Sequence, residues 1–515
     1  MHKLRGSPGI IVLLFYFMCL WSRISGLCPV RCECDDPSLR VVCNNANLDV
    51  VPITLNPELR ELHLSNNHVK AIRTSFNVYR NLEFLDVSHN QLVSLDKENF
   101  SALKHLRILL LNRNMISTLQ NETFKGLSNL TILQLNENIL EDIPPGVFSH
   151  LEKLELLDLS QNRMSSIDDN AFGGLKKLKT LLLRDNKLTH IPSDSFQPLS
   201  KLFKLDLGLN SFEDIPENSF SHLNNLQQLC LDGCVIRSIQ YGAFKWLNSL
   251  LVLHIHDNEL KDIPTKALFD VIRLEELHIG QNKFREMKPS SFQRLKYLRT
   301  IVINGSPLLE RIDKGAFADN TNLKTIEINH NKLLRHLHLG AFDNLPNVQH
   351  VSLRGNAFQT LQYSLLSWDE LSYLDVRDNP LVCNCTLLWL WKLLVTKNFS
   401  VDPSEAGADL TQVVCAGPPG LEGRVLVDLP PEDLNCYNLD ARRQIIIGVV
   451  VASAVATAAI VMLGFRYRDK VAGVLKTKWG RGRKEPQYQK TSAEEESTIL
   501  QAAQQSLKMT PVTEL

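Results

Sequence analysis

The stretch Leu106–Ile116, "LRILLLNRNMI", decides the fold of this chain. Its pattern returns at Leu130–Leu140, "LTILQLNENIL", and at Leu154–Met164, "LELLDLSQNRM". Each stretch has apolar residues at positions 1, 4, 6 and 11 and asparagine at position 9, and the three begin 24 residues apart. A template that returns at such an interval indicates a repeat protein. Each unit is one strand with a return segment, and neighbouring units share a core.

Position 9 of the template can be followed through 14 units, and two of them hold Cys234 and Ser306 instead of asparagine. An asparagine carboxamide can pair backbone groups of the loop after each strand, which would otherwise be buried without partners. A phenylalanine eight residues after position 11 predicts a stacked apolar spine behind the strands. The asparagines are Asn67, Asn90, Asn114, Asn138, Asn162, Asn186, Asn210, Asn258, Asn282, Asn331, Asn356 and Asn379; the phenylalanines are Phe100, Phe124, Phe148, Phe172, Phe196, Phe220, Phe244 and Phe292.

The pattern resembles the leucine-rich repeat family, and the resemblance covers residues 28 to 436. It implies an α/β-type solenoid of 14 repeats, a curved parallel β-sheet horseshoe with disulfide caps. Four cysteines stand at each end of the repeats, and sequence alone allows three pairings in each set. Both sets resemble the cysteine-rich caps of extracellular members of the family. The pairs that this resemblance implies are Cys28–Cys34, Cys32–Cys43, Cys383–Cys415 and Cys385–Cys436.

Two apolar segments predict a route to the plasma membrane. Ile10–Leu20 follows a short basic start and is typical of a secretory signal peptide. Ile445–Phe465 carries no charge and is long enough to span a bilayer, and the basic residues that follow it predict a cytosolic C-terminus. The chain thus resembles single-pass type I surface proteins of the adhesion or receptor type. The predicted organisation is signal peptide 1–26, N-terminal cap 27–57, repeats 58–381, C-terminal cap 382–437, linker 438–444, transmembrane helix 445–465 and disordered cytosolic tail 466–515.

Short motifs agree with this organisation. Asn-x-Ser/Thr sequons predict glycosylation of surface loops on a secretory route. The C-terminus ends with Thr513 and Leu515 two residues apart, which resembles the peptides that PDZ domains bind, so a PDZ scaffold is an expected cytosolic partner. The sequons are Asn99, Asn121, Asn129, Asn304, Asn384 and Asn398.

The sequence gives no support for catalysis. It contains no Gly-x-Ser-x-Gly elbow, no His-Glu-x-x-His motif and no phosphate loop, so neither a catalytic residue nor a cofactor is predicted. Equal counts of 56 basic and 56 acidic residues do not favour a nucleic-acid partner. The expected function is recognition of an extracellular or cell-surface protein for adhesion, or for receptor signalling through tail scaffolds. The alternative is a co-receptor or carrier that presents a soluble growth factor or matrix component, and homo-oligomerisation stays open.

Template positions 2, 3, 5, 7 and 8 are expected to face solvent on the concave side, where a ligand would bind. At position 5, Cys230, His254 and His278 fall on consecutive strands, a spacing that metal ligands can use, although a neutral polar patch is the favoured interpretation. Adjacent histidines also suggest binding that changes near pH 6. The candidate ligand-face residues are Asp158, Asp206, His254, His256 and His278.

Cys230 and Cys234 stand apart from the cap cysteines. Cys234 takes the asparagine position and is expected to be buried and inert. Cys230 takes position 5 and is expected to be an accessible thiol beside His254. Their opposite orientations argue against a disulfide between them.

Overall fold

The computed structural model describes residues 27–97, 99–397, 399 and 409–478. It contains two compact units, one ending at Cys436 and one beginning at Tyr437, and each is described by itself. The predicted signal peptide, the sequon at Asn398 and the C-terminal Thr513 and Leu515 lie outside the described residues.

The first unit is built on a sheet of 16 strands. Fourteen strands, one per repeat, are parallel and pair in register with their neighbours, which confirms the predicted solenoid of 14 repeats. The first two strands form an antiparallel pair in the N-terminal cap, and the second joins the first repeat strand in parallel. The strands are Glu33–Asp35 (β1), Arg40–Val42 (β2), Glu61–His63 (β3), Phe84–Asp86 (β4), Ile108–Leu110 (β5), Ile132–Gln134 (β6), Leu156–Asp158 (β7), Thr180–Leu182 (β8), Lys204–Asp206 (β9), Gln228–Cys230 (β11), Val252–His254 (β13), Glu276–His278 (β14), Thr300–Val302 (β16), Thr325–Glu327 (β18), His350–Ser352 (β20) and Tyr373–Asp375 (β21).

The repeat template explains which side of the sheet is buried. In the repeat of β6, the apolar residues at positions 1, 4, 6 and 11 are fully buried: Leu130, Leu133, Leu135 and Leu140. Positions 3 and 5 flank position 4 on the strand and are half-buried, because successive residues of a strand point to opposite faces. The solvent side of the sheet, formed by positions 3, 5 and 7, is called the sheet face below.

The asparagines at position 9 join successive repeats. The Nδ2 of Asn138 donates to the carbonyl oxygens of Leu111 and Leu135, both at 3.0 Å. Its Oδ1 accepts the N–H of Ile116 at 3.0 Å. Since Leu111 and Ile116 belong to the preceding repeat, one buried side chain pairs the backbone of two units. This confirms the predicted role of the asparagines.

The phenylalanine spine is also confirmed. From Phe76 to Phe148, the ring centroids of successive phenylalanines lie 5.8–6.3 Å apart and the rings are stacked. The spine continues through Phe292, Phe317 and Phe342 with centroid distances of 5.4 and 5.6 Å. Phe76, Phe317 and Phe342 were missed because their repeats are one residue shorter or longer than the template.

The return segments contain little regular structure. Short strands pair parallel behind the sheet, in one group of two and one of three, and a last pair closes the C-terminal cap. These strands are Asp214–Ile215 (β10), Ser238–Ile239 (β12), Glu286–Met287 (β15), Arg311–Ile312 (β17), His336–Leu337 (β19), Leu381–Val382 (β22) and Cys415–Gly417 (β23). The 3-10 helices are Ser75–Val78, Asp194–Phe196, Tyr363–Leu365, Trp368–Glu370, Cys385–Leu387, Leu426–Asp428 and Pro431–Leu434, and the one short α-helix described among the repeats is Thr265–Leu268 (α1).

The C-terminal cap covers the last repeat with a helix, Leu388–Thr396 (α2). Trp389 on this helix donates its indole N–H to the carbonyl of Leu361 at 3.1 Å, in the return segment before the cap. Trp391 donates to the carbonyl of Leu429 at 3.0 Å, within the cap. The tryptophans therefore hold the cap together, as expected for core residues. The disulfides of the structure are Cys28–Cys34, Cys32–Cys43, Cys383–Cys415 and Cys385–Cys436, the pairs that the resemblance implies.

In its described residues the second unit is a helix, Tyr437–Lys478 (α3). Its segment Gln444–Gly464 has a mean hydropathy of 2.7, and it is the one helix in the described part of the chain that is long and apolar enough to cross a membrane. The predicted linker 438–444 and the first residues of the predicted disordered tail, 466–478, are helical. The helix therefore extends beyond the predicted transmembrane segment 445–465 at both ends, and the predicted disorder does not hold for residues 466–478. Hydropathy marks the apolar run, whereas the ends of a helix depend on its backbone hydrogen bonds.

Candidate functional site

The structure brings most of the predicted ligand-face residues together. Asp206, Cys230, His254 and His278 are direct neighbours in register on β9, β11, β13 and β14. Asp158 lies on β7, two strands away from Asp206. The repeat thus places four different polar side chains side by side on four adjacent strands.

Cys230 is not the accessible thiol that the sequence predicts. The residue is 5% exposed, because its short side chain lies between the longer Asp206 and His254. Burial, with the charges of Asp206 and Asp232, raises the pKa of the Cys230 thiol to about 12. The expectation overlooked the neighbours, whose length decides exposure on a sheet.

Cys234 is fully buried, as predicted. Its Sγ donates to the carbonyl of Leu207 at 3.3 Å, a weak version of the bond that an asparagine makes there. Burial raises the pKa of this thiol to about 12 as well. Cys230 and Cys234 are the unpaired cysteines of the described residues.

Three histidines lie close together on the sheet face. The ring centroid of His254 is 4.4 Å from that of His278 and 5.9 Å from that of His256. Burial, then the two neighbouring histidines, lowers the pKa of His254 to about 4, and burial also lowers the pKa of His256. A pKa of about 4 keeps His254 neutral at pH 6, so this histidine does not support the expected change in binding near that pH.

The polar atoms around His254 are unevenly paired. His278 Nε2 lies 2.7 Å from Glu276 Oε1. By contrast, His254 Nε2 is buried and has no hydrogen-bond partner within the described part of the chain. Two sets of donor atoms meet at this residue, and within each set all atoms lie within 4.8 Å of one another. One set is Cys230, Asp232 and His254; the other is His254, Glu276 and His278.

Arg184 is a sheet-face residue that sequence reasoning missed. Its guanidinium donates to both carboxylate oxygens of Asp232, at 3.2 and 2.6 Å, and lies 3.5 Å from the carboxylate of Asp206. Arg184 and Asp232 are both at position 7, two repeats apart, and Gly208 lies between them. A Cβ at residue 208 would collide with the guanidinium. The sequence does contain a pattern that predicts this contact, because position 7 holds an arginine, a glycine and an aspartate in three successive repeats.

The acids of the sheet face respond differently to burial. Burial raises the pKa of Asp158 and of Asp206 above the usual range for aspartate. Burial alone would also raise the pKa of Asp232, but the hydrogen bonds and charge of Arg184 outweigh it and lower that pKa. Arg184 thus stabilises the carboxylate form of Asp232, whereas ionisation of Asp158 and Asp206 is disfavoured by their burial.

Comparison with known proteins decides the family. A family model described as "Leucine rich repeat" matches residues 80–140, 128–188, 176–236, 272–333 and 321–381. These overlapping matches cover more than half of the chain. The chain belongs to the leucine-rich repeat family.

Individual leucine-rich repeat relatives match shorter segments. Over 92 residues, 18% of this chain and 20% of the relative, the chain is 35% identical to human oligodendrocyte-myelin glycoprotein. Over 93 residues, 18% of this chain and 36% of the relative, it is 31% identical to human leucine-rich repeat-containing protein 3B. The chain therefore spans about a fifth to a third of the length of these curated relatives.

Solved leucine-rich repeat structures share the fold over a longer range. The Toll–Spatzle complex of Drosophila has a TM-score of 0.59 at 22% identity, covering 73% of this chain and 55% of that chain. A Leptospira interrogans LRR protein has a TM-score of 0.58 at 23% identity, covering 70% of this chain and 95% of that chain. At these identities the likeness concerns the fold alone.

The repeat register also places the sequons. Asn99 is 2% exposed, and its Nδ2 donates to the carbonyl of Arg73 at 2.6 Å. A glycan would be attached at that nitrogen, so this packing disfavours the predicted glycosylation of Asn99. Asn304 is at position 7 of its leucine-rich repeat, on the sheet face, so a glycan there would cover the face beyond His278. Of the other sequons in the described residues, Asn121 is exposed and Asn129, Asn304 and Asn384 are half-buried.

Proposed function

We propose that this protein is a cell-surface recognition protein that binds an extracellular or cell-surface protein through its sheet face, for adhesion or receptor signalling. One observation carries the proposal: fourteen parallel strands present positions 3 and 5 in register as one surface of mixed, mostly polar side chains, which are half-buried on most of the strands. At about 4.8 Å per strand this surface extends for about 60–65 Å. That is ample for a partner footprint of about 800 Å², the usual size of a specific interface.

The chemistry of the sheet face supports a protein ligand. Its centre combines the Arg184–Asp232 ion pair, the neutral His254 and the half-buried Asp158 and Asp206. Such mixed groups suit many directional polar contacts with a protein surface. The Drosophila Toll–Spatzle complex is one case of a similar solenoid with a protein partner.

A glycan placed on the sheet face tests the proposal. The double substitution Thr180→Asn with Leu182→Thr creates a sequon on β8, between the strands of Asp158 and Asp206. The matched control, His150→Asn with Glu152→Thr, creates a sequon on an exposed return segment. A screen of the ectodomain against secreted and surface proteins first supplies a binder. The variant with the glycan on β8 should no longer bind this protein, and the control should still bind it. The opposite pattern would show that the binding surface is not the sheet face.

Cell aggregation separates adhesion from the alternative role. If the protein is an adhesion molecule, cells that express it should cluster with themselves or with cells that carry the partner. A co-receptor or carrier for a soluble growth factor or matrix component would bind its ligand without clustering. The sheet face serves as the binding surface in both cases.

The helix α3 is proposed to cross the plasma membrane once, with the repeats outside. Its apolar segment Gln444–Gly464 supports the crossing, and the basic residues that follow support a cytosolic C-terminus. An epitope placed after the signal peptide should be stained on intact cells. A C-terminal epitope should be stained only after permeabilisation, and the reverse result would invert the orientation.

The C-terminus is proposed to recruit a PDZ scaffold. Thr513 and Leu515 have the spacing that supports this, since such domains bind the terminal carboxylate, an apolar last residue and a hydroxyl two residues earlier. A peptide of the last ten residues should retain PDZ domains in a binding array. The same peptide with Thr513→Ala should not, and equal retention by both peptides would remove the proposal.

A further inference from the structure

The donor set of β13 and β14 has no assigned role. His254 and His278 are opposite each other in register, and Glu276 is on the same strand as His278, two residues earlier. One donor atom from each of the three residues lies within 4.8 Å of the other two. The residues lie on short paired strands rather than on loops, so the sheet fixes the spacing of their backbones.

His254 supplies the second observation. Its Nε2 is buried and has no hydrogen-bond partner among the described residues. A buried polar atom without a partner is costly, and a site that tolerates one calls for an explanation such as a bound ion. Neither Glu276 nor His278 relieves it, since they bond to each other at 2.7 Å.

We propose that His254, His278 and Glu276 bind one Zn²⁺ ion on the sheet face, with the fourth coordination position open to solvent. Two imidazoles and one carboxylate form a set that zinc accepts, and three protein ligands with an open position form a recurring arrangement. Tetrahedral zinc needs ligand atoms about 3.3–3.5 Å apart. The donor atoms of this set lie within 4.8 Å of one another, and the pair His278 Nε2 and Glu276 Oε1, now 2.7 Å apart, must separate slightly to bind one ion together. Glu276 and His278 can make that adjustment, because their side chains are 39% and 26% exposed.

The neighbouring set, Cys230, Asp232 and His254, is a weaker site. Arg184 holds the Asp232 carboxylate through both oxygens, at 3.2 and 2.6 Å, and an ion would have to displace it. Cys230 and Asp232 are also covered, at 5% and 6% exposure, whereas the side chains of Glu276 and His278 are partly exposed. Zinc is therefore assigned to the histidine and glutamate set, with Cys230 outside the coordination shell.

Zinc held on β13 and β14 would change what the sheet face offers to a partner. Its open position would accept a carboxylate or an imidazole from a bound protein in place of water. The site itself does not depend on the proposed recognition function, since the metal is expected to bind the protein without any partner.

Zn²⁺ titration of the full-length protein tests the site. The protein, in detergent and purified on a tag without histidine, is first stripped with a chelator. Calorimetry should show one equivalent of Zn²⁺ bound with a Kd in the micromolar range or tighter, and Ca²⁺ and Mg²⁺ should not compete. His278→Gln and Glu276→Gln should each weaken binding at least tenfold, and added Zn²⁺ should raise the Tm of the unaltered protein but not of these variants. Comparing the melting curves without metal verifies that the variants fold.

The chain offers a matched control. Glu61–His63 on β3 repeats the tripeptide Glu-Leu-His of Glu276–His278. The strands beside His63 carry Val42 and Asp86 instead of a second histidine. His63→Gln should therefore leave zinc affinity unchanged.

A cysteine variant separates the two donor sets. Cys230→Ser should retain zinc, and Co²⁺ in place of zinc should show no thiolate-to-metal absorption band. Absence of binding, or unchanged affinity in both His278→Gln and Glu276→Gln, would overturn the proposal. Loss of zinc in Cys230→Ser with retention in His278→Gln would place the ion in the other set and overturn this assignment.

Discussion

At the scale of single residues, the two unpaired cysteines of the described ectodomain residues are expected to resist alkylation. Cys230 and Cys234 are buried, and burial raises both thiol pKa values to about 12, so very little thiolate is present at pH 7.5. Iodoacetamide should leave both unmodified in the native ectodomain and modify both in denaturant, as read by mass spectrometry. Rapid labelling of Cys230 in the native protein would mean that the sheet face opens in solution.

Asp158 should make stability depend on pH. Burial raises the pKa of Asp158 in the folded state, so folding favours the protonated carboxyl group. The stability that this group contributes is fully present below its unfolded pKa and is lost as pH rises through its folded pKa. In the original protein Asp158 accepts a hydrogen bond from Ser160 N–H at 3.0 Å. Asp158→Asn keeps a side-chain oxygen for this bond and removes the charge. The variant should therefore melt above the original protein at pH 7.5, and the difference should shrink towards pH 3.

Asp86→Asn is the comparison for this substitution. Asp86 accepts the same bond from Ser88 N–H at 2.9 Å in an earlier repeat, so it reports the general effect of exchanging aspartate for asparagine there. An Asp158→Asn protein whose Tm is lower at pH 7.5, or whose difference in Tm grows towards acid, would contradict the sign derived from burial.

The sequence predicts the burial of a residue correctly where its own repeat determines the surroundings. It fails where side chains of neighbouring repeats determine them. The template alone predicts that Cys234 is buried, because position 9 is internal in every unit. It does not predict the burial of Cys230, which depends on Asp206 and His254 in the adjacent repeats. Arg184 was missed for the same reason, since its contact with Asp232 crosses an intervening repeat.

At the scale of the repeat element, the series of position-9 asparagines is interrupted at Cys234, and a single substitution can restore the missing side chain. Asn138 accepts the N–H of Ile116, and by the same geometry a residue at 234 would accept the N–H of Phe212. Cys234 has no carboxamide oxygen for this bond. Cys234→Asn should therefore raise the free energy of unfolding by about 1 kcal/mol, the typical net value of one hydrogen bond. Chemical denaturation of the ectodomain measures it.

Asn138→Ala is the opposite change and its control. It removes the partner of the buried N–H of Ile116, and an unpaired buried group costs about 1–3 kcal/mol. The carbonyls of Leu111 and Leu135 also lose the donor of Asn138, but they keep the bonds from Asn114 and Asn162. It should lower the denaturation midpoint clearly. If Cys234→Asn also lowered the denaturation midpoint, the loop around residue 234 would be too tight for asparagine. The expected gain of a hydrogen bond to Phe212 would then be wrong.

Prediction of whole elements succeeded because one period is repeated 14 times. Each unit supplies the same evidence for a strand, a buried leucine set and a ladder asparagine, so a weak local signal becomes strong. The helix α3 appears once, and hydropathy locates its apolar core but not its ends. Its extension to Tyr437 and Lys478 depends on backbone bonding, which hydropathy does not report.

At the scale of the whole molecule, a solenoid must cover the apolar core at both ends, and the C-terminal cap is expected to be essential for this. Trp368 at the end of the repeats is fully buried, and its ring centroid lies 5.0 Å from that of Trp389 on α2. An ectodomain truncated after Pro380 loses α2 and should expose this edge. It should aggregate in size-exclusion chromatography, whereas the ectodomain ending at Cys436 should elute as one defined species.

A second variant separates the apolar cover from the covalent link within the cap. Cys383→Ser with Cys415→Ser removes a disulfide that closes 32 residues while α2 stays in place. The chain-entropy argument gives a loss of about 3–4 kcal/mol, so this protein should melt earlier yet remain a single species. If it aggregated as readily as the truncated ectodomain, the disulfide rather than the tryptophan contact would hold the cap on the last repeat. If the truncated ectodomain stayed monodisperse with an unchanged Tm, the last repeat would need no cover.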